Sequence, residues 1–160
     1  MESLCKLRVW RICNAKHTKT AFDGQGAKIN GGRWNPIGTE VAYTSSSLAL
    51  AALELLVHLG AKASPVSYVA IPVDIPENLL IDRVNKSNLP SNWRDDPPPF
   101  TLTNVGKQWI NSGGSAVIQI PSAVIDEECN YLLNPNHRDF TQLIIGAART
   151  FQFDLRLFKK

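Results

Sequence analysis

Glu54 is the residue of this sequence whose setting most strongly suggests chemistry. It lies in the middle of segment 48–59, which is otherwise apolar almost throughout and predicts a helix inside the protein. An ionised carboxylate in the interior is costly unless a cation, a hydrogen-bond donor or a ligand compensates it. The helix pattern therefore leaves three interpretations open: Glu54 emerges at a surface stripe, forms a structural pair with a cation such as Arg33, or faces a ligand.

Conventional catalytic and metal-binding motifs give weaker signals. Cys129 with His58 or His137 could supply a nucleophile and a base, but nothing in the sequence places them together, and a lone cysteine is usually a small core residue. The histidines share no zinc-ligand spacing, so we expect no metal site. The glycines between positions 24 and 32 match neither the dinucleotide-binding nor the Walker pattern.

Composition narrows the class of protein. A chain of 160 residues that is 44% hydrophobic and 19% charged is typical of one folded globular domain, here 1–160. The net charge of +3 comes from scattered basic residues, which argues against direct nucleic-acid binding. Three cysteines without a C-x-x-C pair indicate a reducing compartment. The sequence lacks a signal peptide and an apolar run of about 20 residues, so we expect a cytoplasmic protein without membrane contact.

The elements that would position Glu54 can be predicted from local patterns. A short strand ending near Tyr43 leads into the helix, whose N-cap is expected at Ser45, Ser46 or Ser47, and Gly60 ends it. Further extended segments are expected at 7–12, 67–75, 79–84, 115–124, 130–133, 142–147 and 150–158, with a short helix at 103–110. Without regular β-α-β alternation, these elements predict an α+β domain with a mixed or antiparallel sheet core and a few helices.

Several connecting segments carry expectations of their own. Segment 14–30 is predicted to be a loop, and 85–100 an exposed connector and candidate lid. Arg8 and Arg11 on the first strand can reach a polar pocket. The strand at 115–124 is interrupted at Pro121-Ser122, a kind of irregularity that often aims a side chain at a ligand. The tryptophans are predicted to be core residues, and Pro72 indicates an edge or a strand end.

Several separated motifs together resemble the RES domain family. They are Gly31-Gly32-Arg33-Trp34-Asn35, Tyr43, Leu53-Glu54-Leu55-Leu56, Pro121-Ser122-Ala123 and Asn130-Tyr131-Leu132-Leu133-Asn134-Pro135 with His137, and they run in order over nearly the whole chain. The arginine, glutamate and serine that give the family its name correspond to Arg33, Glu54 and Ser122. Two departures lie outside this triad: Arg138 stands where a proline is expected, and Cys129 where a charge is common.

This resemblance implies a toxin of a bacterial type II toxin–antitoxin pair with an ADP-ribosyltransferase-like fold. The implied activity consumes NAD+ as a substrate and needs no cofactor. The implied partner is a cognate antitoxin with an Xre-type helix-turn-helix, and the resemblance also implies a homodimer within the toxin–antitoxin complex.

The implied site consists of Arg33, Tyr43, Glu54 and Ser122, which would act both in catalysis and in binding NAD+. Glu54 would stabilise the oxocarbenium-like transition state of nicotinamide–ribose cleavage. Arg33 suits two-pronged hydrogen bonds to the pyrophosphate, although in the empty enzyme we expect it to pair with Glu54. The Tyr43 ring would pack against nicotinamide while its hydroxyl orients the substrate, and Ser122 would hydrogen-bond the substrate or Glu54.

Three functional hypotheses follow. The first is an NAD+ glycohydrolase or phosphorylase, in which water or phosphate accepts the ADP-ribose. The second is an ADP-ribosyltransferase that modifies a protein through the same bond cleavage. The third, from a different class, is a non-catalytic module that uses the fold to bind a partner.

Overall fold

The computed structural model describes residues 7–60 and 66–158, and its strands form one mixed eight-stranded sheet. The strands are β1 (Leu7–Asn14), β2 (Ala42–Ser45), β3 (Tyr68–Ile75), β4 (Ile81–Arg83), β5 (Val117–Pro121), β6 (Cys129–Leu133), β7 (Ile144–Ile145) and β8 (Arg149–Phe151). Their order is β4-β5-β6-β2-β1-β3-β7, with β8 also on β3, and only the β4–β5 pair is parallel. The prediction of an α+β fold with a mixed sheet is confirmed.

In the described part of the chain, three α-helices accompany this sheet: α1 (Gln25–Asn30), α2 (Leu48–Leu59) and α3 (Thr103–Ser112). Short 3-10 helices span 15–20, 86–88, 100–102, 138–142 and 155–158. Segment 14–30 therefore contains two helical pieces, and the prediction of a plain loop there is wrong. The helix at 103–110 is confirmed, with Trp109 buried and Gly113 as its C-cap. Among the helices of the described residues, none combines the length and the apolar character that crossing a membrane requires.

The strand pairing at the centre of the sheet brings together residues that belong to the site described below. β1 pairs with β3 from Leu7 opposite Ile75 to Asn14 opposite Tyr68. On the other side of β1, β2 pairs with β6 so that Ser45 lies opposite Asn130. Helix α2 begins directly after β2 and packs against β1 and β3, and Glu54 in its middle reaches Asn130 on β6.

Helix α2 has the predicted ends but not the predicted burial. Ser47 accepts a hydrogen bond from the Leu50 amide, and Gly60 follows the last turn. Only Leu50 and the adjacent alanine are buried, whereas Leu53 and Val57 are 36% and 58% exposed. The helix lies on one face of the sheet, so only its inner stripe meets the core. The prediction of a fully internal helix is wrong.

Three other predictions about strands need correction. β5 ends at Pro121 instead of continuing to residue 124. The last strand stops at Phe151, and the chain then forms a 3-10 helix because Phe153 packs edge-on against Phe151, Tyr68 and Phe158 instead of continuing the ladder. Pro72 does not mark a sheet edge or the end of β3. β8 pairs with β3 before Pro72 and β7 pairs with it after Pro72.

The predicted core role of tryptophan holds for three of the four. Trp34, Trp93 and Trp109 are buried in one cluster, whereas Trp10 is half-buried between the guanidinium groups of Arg8 and Arg149. The cluster joins the glycine-rich turn after α1, the connector 85–100 and α3. It therefore fixes the walls around the site described next.

Candidate functional site

A cavity of about 890 Å³ opens beside the second half of α2, where Glu54, Val57 and His58 line it. Its volume falls within the range of roughly 300–1,000 Å³ that small-molecule sites occupy. Arg33, Tyr43 and Glu54 all line it, together with Arg11 and Asn130. Three of the four predicted site residues thus share one pocket, and the fourth, Ser122, contacts Glu54 from a fully buried position.

Two side chains hold the Glu54 carboxylate. Its Oε1 accepts hydrogen bonds of 2.6 Å from both the Ser122 hydroxyl and the Asn130 Nδ2 group. Across the described part of the chain, no donor contacts Oε2. The half-buried charge is therefore compensated by hydrogen bonds to one oxygen, while the other oxygen is available to a ligand.

Ser122 uses its hydroxyl proton for the hydrogen bond to this carboxylate. Its hydroxyl oxygen accepts hydrogen bonds from the backbone amides of Val124 and Ile125, at 3.1 and 3.0 Å. A hydroxyl has a single proton to donate, and here that proton goes to Glu54. Of the two partners predicted for Ser122, the structure provides Glu54.

Arg33 does not pair with Glu54, contrary to the expectation for the empty site. No ion pair joins the two within residues 7–60 and 66–158. Instead the Arg33 Nη1 group donates to the backbone carbonyls of Trp93 and Asp95, each at 2.8 Å. Arg33 thereby fixes the connector 85–100 as a wall of the pocket, and its Nε and Nη2 donors remain for a ligand.

Tyr43 belongs both to the pocket and to the turn beneath it. Its hydroxyl donates to Asn35 Oδ1 at 2.6 Å and accepts a 3.3 Å hydrogen bond from the Trp34 amide. Burial raises the pKa of Tyr43 well above its usual value. A Cβ on Gly32 would lie 2.5 Å from this hydroxyl, so the turn needs a glycine there. The role of the hydroxyl in orienting a substrate stays a prediction, beside the structural role seen here.

Of the two arginines on β1, Arg11 reaches the pocket. Its Nη1 group donates to the Tyr43 carbonyl at 3.1 Å, and its buried Nε has no hydrogen-bond partner among the described residues. Burial lowers the pKa of Arg11. Arg8 instead forms an exposed pair with Asp74. Arg11 therefore offers a buried positive charge suited to an anionic group of a ligand.

The connector 85–100 contributes directly to the site. Asp96 and Pro98 line the cavity, and Arg94 ties the connector to the segment after β5 through a 3.0 Å hydrogen bond to the Ala123 carbonyl. Its proposed movement as a lid stays a prediction. His58 also lines the cavity from the exposed last turn of α2.

Sequence reasoning missed Ser45 and Asn130 as members of the site. Asn130 Oδ1 accepts a 2.7 Å hydrogen bond from the Ser45 hydroxyl, and both side chains are buried. A signal existed, because Asn130 interrupts the apolar strand Cys129–Leu133, and a buried polar side chain must find a partner. The pairing of β6 with β2, which supplies the partner, could not be read from the sequence.

Comparisons with known proteins identify the family of this chain. The family model described as the RES domain matches residues 8–154. The chain is 36% identical over 155 residues to the "Prs ADP-ribosylating toxin" of Sphingobium sp. (strain YBL2), covering 94% of this chain and 96% of the relative. It is also 36% identical over 152 residues to the "Toxin Res" of Photorhabdus laumondii subsp. laumondii, covering 94% and 97%.

A solved structure supports the fold independently. The toxin–antitoxin complex MbcT-MbcA of M. tuberculosis contains a chain that superposes with a TM-score of 0.74 at 16% identity, covering 91% of this chain and 84% of that one. At this identity the match shows the fold alone. The family match over most of the chain, together with the two relatives, shows that this protein belongs to the RES domain family.

Proposed function

We propose that this RES-domain protein is a toxin that cleaves the nicotinamide–ribose bond of NAD+. The observation that carries the proposal is the Glu54 carboxylate, held through one oxygen in a nucleotide-sized pocket that also contains Arg11 and Arg33. A toxin role is supported by relatives named "Toxin Res" at 36% and 34% identity.

Glu54 suits the charge that develops in this reaction. As the bond between ribose C1′ and the nicotinamide nitrogen breaks, its electron pair neutralises the pyridinium and positive charge builds on the ribose. A carboxylate already oriented beside the ribose stabilises that charge without having to reorganise. The free Oε2 of Glu54 can accept a hydrogen bond from a ribose hydroxyl. Water or phosphate then adds at C1′.

The two arginines suit the diphosphate of NAD+. Arg33 offers Nε and Nη2 while its Nη1 group stays on the connector. Arg11 lines the same cavity and brings a buried positive charge to it, although its unpartnered Nε atom is itself covered by protein. Guanidinium groups bind phosphate oxygens through parallel hydrogen bonds, and binding an anion would also compensate the buried charge of Arg11.

A second candidate function is ADP-ribose transfer to a protein. It requires the same bond cleavage and differs in the acceptor. The relative named "Prs ADP-ribosylating toxin" favours it, as do two exposed apolar side chains at the pocket, Ile29 at 67% and Val57 at 58%, which could contact a protein acceptor. A non-catalytic module remains the alternative from another class.

The partner we propose is a cognate antitoxin with an Xre-type helix-turn-helix, with the toxin as a cytoplasmic homodimer inside the complex. The solved neighbour is itself part of a toxin–antitoxin complex, which supports an antitoxin partner. The exposed outer stripe of α2, with Leu53 and Val57, offers an apolar surface for such contacts.

Purified protein and NAD+ labelled in the adenylate half would separate these functions. Nicotinamide release with label only on small molecules supports glycohydrolase or phosphorylase activity, and omitting phosphate distinguishes the two. Label on a protein supports transfer. No nicotinamide release with water, phosphate or cell extract as the source of acceptor would contradict both enzyme hypotheses and leave a binding module.

A further inference from the structure

Asn130 and Ser45 form a buried polar pair directly behind the proposed catalytic carboxylate. The two side chains are 8% and 4% exposed, and they face each other across the β2–β6 ladder. The Ser45 hydroxyl donates to Asn130 Oδ1 at 2.7 Å, and Asn130 Nδ2 donates to Glu54 Oε1 at 2.6 Å. The chain of donors thus runs in one direction, from β2 through β6 to α2.

The hydrogen bond to Glu54 fixes which end of the Asn130 amide faces the carboxylate. An asparagine side chain has one accepting and one donating end. In the opposite orientation, its carbonyl oxygen would face the Glu54 oxygen, and two acceptors at 2.6 Å would repel each other. A serine hydroxyl can donate or accept, so it is the carboxylate that selects the orientation of the amide, and the Ser45 hydroxyl then donates to Oδ1. Ser45 therefore holds the Asn130 side chain in the arrangement that Glu54 selects.

We propose that Asn130, held in place by Ser45, is a positioning residue that holds Glu54 with Oε2 directed at the substrate. This inference rests on the proposed NAD+ cleavage and extends it to residues outside the named triad. Ser122 alone would leave the carboxylate one hydrogen bond on Oε1 and freedom to rotate about it. The second donor, from a different strand, removes that freedom.

Other charged or titratable side chains line the pocket that contains Glu54. Arg11 projects from β1, His58 from α2, and Arg33 and Asp96 from the connecting segments that line the same pocket. Asn130→Asp keeps the size of the side chain, replaces the donor with a carboxyl group, and leaves all four of these groups in place. The Ser45 hydroxyl can still donate to the new carboxyl group, so the hydrogen bond that is lost is the one to Glu54.

A matched control lies at the end of the same strand. Asn134 is also buried, but it accepts a 3.0 Å hydrogen bond from the Asn136 amide through Oδ1 and lines a different cavity. Asn134→Asp keeps that acceptor. It introduces the same chemical change at a distance from Glu54, so it reveals any general effect of a new buried carboxyl group.

Kinetics provide the first measurement. At neutral pH we expect Asn130→Asp to lower kcat for nicotinamide release by at least about tenfold, with KM for NAD+ changed much less, because a charge-assisted hydrogen bond becomes a repulsion. The variant should regain activity in mildly acidic buffer, where a proton shared by the two carboxyl groups restores a donor. Ser45→Ala should lower kcat by a smaller factor, and Ser45→Thr should restore it.

Carbon-13 NMR of the Glu54 carboxyl, assigned with Glu54→Gln, provides a measurement that does not depend on activity. At neutral pH we expect its chemical shift to change in Asn130→Asp, because the hydrogen bond from Nδ2 is lost, and to stay unchanged in Asn134→Asp. An unchanged chemical shift and a wild-type kcat for Asn130→Asp would overturn the positioning role. If the wild-type protein released no nicotinamide, the proposed function would fail, while the chemical shift would still decide whether Asn130 holds Glu54.

Discussion

Two polar networks flank β2, and they differ in whether every polar atom has a hydrogen-bond partner. In the turn after α1, Asn35 is fully buried, and its amide donates to the carbonyls of Ala27 and Pro36 while Oδ1 accepts from Tyr43. On the side of β6, the network around Glu54 leaves Oε2 without a donor among the described residues. The first network is closed and holds a turn in place. The second is open toward a pocket, as a ligand site requires.

Breaking the closed network should have the largest effect on stability. Asn35→Ala removes every side-chain hydrogen bond of a buried amide, which are those to the carbonyls of Ala27, Pro36 and Thr39 and the one from the Tyr43 hydroxyl. We expect the free energy of unfolding to fall by about 3 kcal/mol. Urea denaturation followed by tryptophan fluorescence would measure it, and a loss below about 1 kcal/mol would show that the turn does not depend on this network.

Crowding the same network should cost less. Gly32→Ala would place a Cβ 2.5 Å from the Tyr43 hydroxyl and 2.8 Å from Asn35 Oδ1. We expect the free energy of unfolding to fall by about 2 kcal/mol, because the turn must shift to make room. Gly26→Ala is the matched control, since nothing lies within 4 Å of a Cβ there. Equal urea midpoints for the two variants would contradict the close approach.

Removing one hydroxyl from the closed network should have a smaller effect that depends on pH. Tyr43→Phe leaves Asn35 Oδ1 without its donor, and we expect a loss of about 1–2 kcal/mol near pH 7. Because burial raises the pKa of Tyr43 in the folded protein, the unfolded chain loses its phenol proton first, near pH 10. Stability from this group is therefore complete below about pH 10 and is lost as the pH rises further.

The measurement for Tyr43→Phe is the free energy of unfolding against pH. The wild-type value should fall more steeply than that of the variant above about pH 10, which narrows the difference between them. Parallel curves would mean that the Tyr43 hydroxyl is not held in a buried, protonated state.

The smallest effect on stability is expected at Arg11, which lines the same pocket as Glu54. Arg11→Met removes a buried cation whose Nε has no partner in the described structure. Such a charge contributes little to the empty protein, so we expect a change within about 1 kcal/mol of the wild type, in either direction. Binding of ADP-ribose, measured by isothermal titration calorimetry, should weaken by about tenfold. Unchanged binding together with a large loss of stability would make Arg11 a structural residue.

The sequence predicts the parts of this fold that local chemistry determines. Ser47 and Gly60 end α2 as expected, and the strands around Leu7–Asn14 and Cys129–Leu133 are where alternation and apolar character indicate them. The prediction that α2 is buried on all sides is wrong, because an apolar helix pattern does not show which of its faces the sheet covers. The long C-terminal strand was wrong because tertiary packing of Phe153 overrides the local alternation.

For the candidate site as well, the sequence predicts some of the residues but not all of their contacts. Placing Glu54 with Ser122 and in one pocket with Arg33 and Tyr43 was possible from the family resemblance. The partners of Arg33 could not be predicted, because they are backbone carbonyls at Trp93 and Asp95, which carry no side-chain signal. Asn130 carried a signal as a polar residue in an apolar strand, but only the strand pairing shows that it meets Glu54.

The most direct test of the account compares nicotinamide release by the wild-type protein, Glu54→Gln and Glu127→Gln. The first substitution keeps the acceptor for Ser122 and Asn130 but removes the charge, whereas Glu127 is exposed and does not line the pocket. We expect Glu54→Gln to lose about 1,000-fold in rate with a wild-type urea midpoint, and Glu127→Gln to lose nothing. A folded Glu54→Gln protein that releases nicotinamide at the wild-type rate would contradict the central role of this carboxylate.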